Sequence, residues 1–207
     1  MPRVVFLIYD DVEVMDFSGP FDVFSMGNIA SRDEVFELRT ACVGAQPITA
    51  MHGLKIVPDF DLPEISSDDV VIIPGGTSKA MDDFGAGKHP EIIAWVRDQC
   101  PKARIVATVC VGALIGALAG LFAGRCATTH HQFFDRLDEY ADHKAKIMRG
   151  ARFVVNEGQP IIAASAGVSA GIDLAFELLG HIVGLDLRVR TAKIMEYRDQ
   201  AGLHCRA

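Results

Sequence analysis

Twenty consecutive residues, Ile105 to Gly124, carry no charge, and Arg104 and Arg125 bracket them. Glycine recurs at every fourth position through Gly112, Gly116, Gly120 and Gly124. The length satisfies the rule for a membrane-spanning helix, and the G-x-x-x-G spacing suits close helix packing. The opening Ile-Val-Ala-Thr-Val, however, is β-branched and strand-like. Cutting there leaves about 14 residues of helical pattern, nearer a buried core helix than a span. The expectation is therefore a buried strand, a sharp turn at Cys110, and a helix whose glycines let it pack closely on a sheet.

Short β-rich runs alternate with amphipathic stretches along the rest of the chain, which is the pattern of a parallel sheet with helices on both faces. "VVFLIY" (Val4 to Tyr9) predicts the first central strand. A helix is expected from about Pro20, with Ser18 as its N-cap. "VFELRTACV" predicts a second strand, and "ITAMHGLKIVPDF" a small β-hairpin excursion turning near His52 and Gly53. "VVIIPGG" is an apolar strand ending in the Gly75–Gly76 pair, and "HPEIIAWVRDQC" a helix opened by Pro90. After the elbow come a helix through Gly124, a short β-like "CATT", and a helical "HHQFFDRLDEYADH". A hairpin around Glu157 and Gly158 and two closing helices follow. No repeat or linker interrupts residues 1–207, so one doubly wound α/β domain is the simplest organisation.

The formal charge of -7 argues against non-specific attraction to nucleic acid or to an anionic membrane. A small-molecule or protein partner is expected instead. The five cysteines, Cys42, Cys100, Cys110, Cys126 and Cys205, contain no C-x-x-C pair. Their spacing suggests neither a zinc site nor a redox dithiol, and their odd number fits a reducing compartment. The amino-terminal apolar run is short and acidic residues follow it, which reads as a first strand and not a signal peptide. Cytoplasmic location is the corresponding expectation.

In a doubly wound sheet the ligand crevice lies at the carboxyl ends of the strands. Cys110, the Gly75–Gly76 pair and Asp16 collect there from separate segments. A cysteine at a strand-to-helix turn is presented at the top of the sheet, and the positive end of the following helix is expected to lower its pKa. Amides from the glycine pair and from Val111 would supply an oxyanion hole. Asp16, between Met15 and Phe17, is expected to be desolvated and to carry a proton near neutral pH. His130 is expected near the same crevice. Each has a plain alternative: a small buried thiol for Cys110, a turn or cap carboxylate for Asp16, a structural hydrogen bond for His130, and an ordinary turn for the glycines. The other four cysteines are read as structural.

Taken together, "DFSGPFDVF", "IIPGG", "ATVCVGALIGALAGLFAGRCATTHH" and "SAGVSAGIDLAFELLG" resemble the ThiJ/PfpI superfamily, and within it the isonitrile hydratase branch, over about residues 3–197. The resemblance implies a flavodoxin-like sandwich, a homodimer, Cys110 as nucleophile, Asp16 as its carboxylate partner, and Gly76 and Val111 as oxyanion-hole amides. It also assigns the histidine near the site to His130. No metal or organic cofactor is implied.

This chain departs from the branch in two places. It has "CVG" where the branch commonly has "CTG", so Val111 keeps an amide but lacks a hydroxyl. It also ends in "EYRDQAGLHCRA" where relatives carry a proline-rich segment. A histidine after the cysteine marks the protease-like relatives, and Val111 argues against that group.

The leading expectation is a cysteine-nucleophile enzyme that hydrates an isonitrile to an N-substituted formamide. The same residues would serve a glyoxalase-like enzyme acting on 2-oxoaldehydes, or a cysteine redox sensor. Similar domains also occur as ligand-sensing parts of transcription regulators, but this chain has no appended basic helix-turn-helix segment.

Overall fold

The computed structural model describes residues 1–198 and 203–205. Its centre is a seven-stranded sheet. The strands in chain order are β1 (Arg3–Leu7), β2 (Glu37–Ala41), β5 (Val70–Ile73), β6 (Ile105–Val109), β9 (Phe153–Asn156), β10 (Ile161–Ser165) and β11 (Leu203–Cys205). Across the sheet the order is β11-β9-β10-β6-β5-β1-β2. The five strands from β10 to β2 are parallel, while β9 runs antiparallel to β10, and β11 follows β9. Two small ladders lie outside it: the expected hairpin of β3 (Ile48–Thr49) and β4 (Lys55–Ile56), and a parallel pair of β7 (Cys126–Ala127) and β8 (Lys146–Ile147).

The central strands are continuous apolar runs because helices cover both faces. Every residue of β5, β6 and β10 is buried. One helical layer holds α1 (Val14–Ser31), α6 (Ala170–Val183) and α7 (Leu185–Ile194), which pack on one another. In the other layer α4 (Gly112–Leu118) packs against α2 (Ser78–Gly85), α3 (Pro90–Asp98) and α5 (Phe134–Tyr140). The result is a flavodoxin-like, mostly parallel α/β sandwich.

Two helix boundaries differ from expectation. Helix α1 starts at Val14, and its N-cap is Glu13, whose carboxylate accepts from the Met15 amide at 3.4 Å. Ser18 therefore caps nothing, and Pro20 lies inside the helix, where it withholds an N–H from the Asp16 carbonyl. Packing overrides that cost. A Cβ on Gly19 would come within 2.9 Å of Ile172, and one on Gly171 within 3.6 Å of the Pro20 ring, so these small or compact residues form the crossing of α1 with α6.

Helix α4 ends at Leu118 and does not reach Gly124, because Gly120 and Gly124 take left-handed conformations with φ of 82° and 73°. The uncharged stretch is thus a strand, an elbow and a seven-residue helix. Among the described residues no helix is long and apolar enough to cross a membrane.

Helix α2 and strands β8 and β11 were not expected from the sequence. Part of the divergent tail forms β11, and its residues 199–202 and 206–207 lie outside the described chain. The register sets the site. Ile73 pairs with Thr108, Phe6 with Ile72, and Val109 with Ser165, so β1, β5, β6 and β10 end level and their exits adjoin.

Candidate active site

Cys110 leaves β6 with φ of 57°, a left-handed conformation that a side-chain-bearing residue rarely adopts. Contacts on both sides hold it there. Its amide is shared between the carbonyls of Ser165 and Ala166, at 3.2 Å each, and its carbonyl accepts the Thr129 hydroxyl at 2.8 Å. The next turn is close-packed: a Cβ on Gly112 would collide with the Ile73 carbonyl, which is why α4 can begin against the end of β5. The thiol is buried, with Cys110 only 7% exposed.

Asp16 enters from the first turn of α1 and is wholly buried. Its Oδ2 accepts the Gly75 amide at 3.0 Å. Oδ1 has no partner at hydrogen-bonding distance, and the nearby polar groups acting on the carboxyl include the Cys110 thiol and the Val168 amide. Burial raises the Asp16 pKa to about 7, with Glu13 adding repulsion, while the Gly75 amide and Cys110 pull the other way. This agrees with the expectation of a carboxyl poised near neutrality.

The thiol does not follow expectation. Burial, followed by the charge of Asp16, pushes the Cys110 pKa up to about 12, although the Val168 and Val111 amides oppose the shift. Two local dipoles at the head of a short helix do not offset the loss of water around the sulfur together with a neighbouring carboxylate.

The glycine pair divides its tasks. The Gly75 amide is engaged by Asp16 and is not a free donor. A Cβ on Gly75 would lie 2.8 Å from Asp16 Oδ2 and 2.9 Å from the Val111 nitrogen, so the backbone must approach there bare. Neither the Gly76 amide nor the Val111 amide donates to a protein oxygen.

His130 follows Thr129, whose hydroxyl donates to the Cys110 carbonyl. Its Nδ1 accepts the Gln132 amide at 3.4 Å, and its ring lies on Gly167, where an added Cβ would be 2.5 Å away. Burial and then His131 lower its pKa. The structural hydrogen bond that was its alternative reading is present.

Three further residues complete the surroundings. Tyr9, just beyond β1, is buried and donates its hydroxyl to the Pro74 carbonyl at 2.9 Å; burial and then the nearby Asp16 and Cys110 raise its pKa. Its place at the carboxyl end of a strand was the signal available in sequence. Val168 has φ of 46°, a strained conformation for a β-branched residue, and its amide acts on both Cys110 and Asp16.

Arg152 holds that loop. It pairs with buried Asp173, donates to Ser169 Oγ at 3.2 Å, and accepts the Ala166 amide on its carbonyl at 2.8 Å. A recess of about 260 Å³ opens beside the elbow, lined by Thr129, Phe134, Arg152, Ala166 and Gly167 among others. Among the described residues no group of three or more His, Cys, Asp or Glu side chains is arranged to hold a metal ion.

Residues 2–181 match the DJ-1/PfpI family. The isonitrile hydratase of Pseudomonas putida is 29% identical over 197 residues, spanning 94% of this chain and 78% of that protein. DJ-1alpha of Drosophila melanogaster is 24% identical over 199 residues, spanning 93% of this chain and 83% of that protein. Among solved structures, a ThiJ/PfpI family protein from Pseudomonas syringae superposes with a TM-score of 0.80 at 26% identity, across 97% of this chain and 76% of that one. With the family match covering residues 2–181, this chain belongs to the DJ-1/PfpI family.

Proposed function

We propose that this protein is a cysteine-nucleophile enzyme acting on a small electrophile, and that its reaction is hydration of an isonitrile to an N-substituted formamide. The observation that carries the reading is the placement of a buried thiol on a strained strand-to-helix elbow, Cys110 with φ of 57°, beside the buried Asp16 carboxyl that the Gly75 amide holds in position. At neutral pH the thiol keeps its proton, and a carboxylate beside it is ready to take it. The likeness to isonitrile hydratase over 94% of the chain supports the choice of electrophile.

In the proposed mechanism the ionised Asp16 accepts the Cys110 proton as sulfur bonds to the terminal carbon of the isonitrile. Asp16 then delivers that proton to the same carbon, giving a thioimidate. Water adds to this carbon, and collapse of the adduct breaks the C–S bond, releases the formamide and returns a proton to the thiolate. The amides of Gly76 and Val111, which donate to no protein oxygen, suit charge on the oxygen added by water. The chemistry requires no metal or organic cofactor.

The test is formamide production from cyclohexyl isonitrile by the wild type, Cys110→Ala and Asp16→Asn. Turnover by the wild type alone is the expected result. Turnover that survives either substitution overturns the mechanism. A wild type inert toward isonitriles but active on 2-oxoaldehydes moves the assignment to carbonyl chemistry at the same residues.

A further inference from the structure

Cys126 and Cys205 read as structural from the sequence, yet the fold brings both to Asn156. The carboxamide of Asn156, at the end of β9, clamps the backbone of Cys126. Its Oδ1 accepts the Cys126 amide at 2.8 Å, and its Nδ2 donates to the Cys126 carbonyl at 2.9 Å. A third bond, from Nδ2 to the Ile162 carbonyl at 2.9 Å, fixes this amide against β10.

Cys205 on the edge strand β11 is the register partner of the same Asn156, and its carbonyl accepts the Glu157 amide at 3.3 Å. Side chains of register partners project from the same face of a sheet. Cys205 therefore projects to the side on which Asn156 holds Cys126, near enough for each thiol to act on the other. Both are free, Cys126 buried and Cys205 half-buried.

We propose that Cys126 and Cys205 form a reversible disulfide that fastens the edge strand β11 to the β7–β8 ladder. With hydrogen peroxide as oxidant, the Cys205 thiolate attacks the O–O bond and becomes a sulfenic acid as hydroxide leaves. The Cys126 thiol then attacks that sulfur and expels water. The two thiols lose two electrons and two protons, and the peroxide becomes two waters.

Burial and the neighbouring Cys126 raise the Cys205 pKa to about 11, against a smaller pull from Lys146, the β8 partner of Cys126. Oxidation is accordingly slow at neutral pH and accelerates in base. The inference does not depend on the reaction proposed for Cys110.

The test treats the full chain with peroxide, blocks the remaining thiols with iodoacetamide and maps unreduced peptides by mass spectrometry. The expected product is a Cys126–Cys205 linked peptide, two hydrogens lighter than its parts, released by dithiothreitol and formed equally in Cys110→Ala. Oxidation should raise the thermal midpoint of the wild type by about 5–10 °C. Cys205→Ser, on the edge strand, should abolish both the link and the shift. Cys126→Ser should abolish the link, and Cys205→Ser keeps the test decisive if Cys126→Ser fails to fold. Both thiols remaining open to alkylation after Cys110 has been oxidised, or either joined to a different cysteine, overturns the proposal.

Discussion

The Gly75 amide donates to Asp16 Oδ2 at 3.0 Å, joining the end of β5 to the first turn of α1. The bond partly compensates a carboxyl that is otherwise cut off from water, and it fixes one oxygen so that the other side of the group is left to Cys110 and Val168. The carboxyl is therefore held in place without being fully stabilised as an anion. Such a group is costly to the fold and useful to chemistry.

That cost gives a pH-dependent stability. The folded pKa of Asp16, about 7, lies above its ordinary 3.8, so between these values the folded state binds more protons than the unfolded state. The stabilisation is complete below pH 3.8 and is lost as pH rises through about 7. Asp16→Asn has no such loss. It should gain on the wild type across this window by a few kcal/mol, ~4 at most. Thermal unfolding at pH 4 and pH 8 checks it: the variant's advantage should be several degrees larger at pH 8.

The same substitution should make Cys110 more reactive toward a simple alkylating agent while turnover disappears. Burial is the main cause of the raised thiol pKa, but the Asp16 charge is the second, and Asn removes it. Iodoacetamide modification of Cys110 at pH 8 should accelerate about threefold to tenfold. A variant with a faster thiol and no turnover would separate proton transfer by Asp16 from general damage to the site.

Gly75→Ala tests the close approach. Its Cβ would meet Asp16 Oδ2 and Val111 Cγ2 at 2.8 Å and the Val111 nitrogen at 2.9 Å. Overpacking of this kind costs about 1–3 kcal/mol, measurable by urea unfolding. Because the atoms that must move include the carboxyl and a candidate oxyanion-hole amide, turnover should fall by at least tenfold at temperatures where the variant is still folded.

The position of Cys110 was legible because a β-branched run changes abruptly to a glycine-punctuated one, and that change of period marks a strand-to-helix turn. Asp16 was legible as a carboxylate between two apolar neighbours near the end of a strand. The Cys110 pKa was not, since it depends on how much water the assembled fold removes and on a charge from another segment. Pro20 misled the reading of α1 because its place in the helix is fixed by the crossing with α6, a contact between residues far apart in sequence. Cys126 and Cys205 failed to register as a pair for the same reason: Asn156 and the β9–β11 register, not spacing, bring them together. Val168 offered no signal, because its strained backbone follows from how Arg152 and Ser169 anchor the loop.

Val111→Thr restores the hydroxyl that the isonitrile hydratase branch commonly has after its cysteine. Val and Thr share a shape, and Val111 is 3% exposed, so the new hydroxyl must find a partner in the site or destabilise the protein by about 1–3 kcal/mol. The proposed reaction brings a water to the thioimidate beside this position. A several-fold rise in kcat with isonitrile, at a small loss of thermal midpoint, is the expected outcome of a steady-state comparison.

Arg152 acts on the site through the loop it holds. Its guanidinium pairs with wholly buried Asp173, which also accepts the Tyr197 hydroxyl at 3.1 Å, and its Ser169 contact adjoins Val168. Removing the guanidinium in Arg152→Ala should cost about 1–3 kcal/mol, discounted from a fully buried pair because the arginine is partly exposed. A merely structural role would end there. The Val168 amide, however, lowers the pKa of both Asp16 and Cys110, so a slackened loop should raise both. Ionised Asp16 is the reactive form in the proposed mechanism, so kcat/KM in the wild type should rise with pH through about 7. In Arg152→Ala this midpoint should move upward, giving a deficit at pH 7 that narrows in base. Arg152→Lys, which keeps the charge beside Asp173 but loses the second donor to Ser169, should fall between the two. An unmoved midpoint in a folded Arg152→Ala would confine the residue to stability alone.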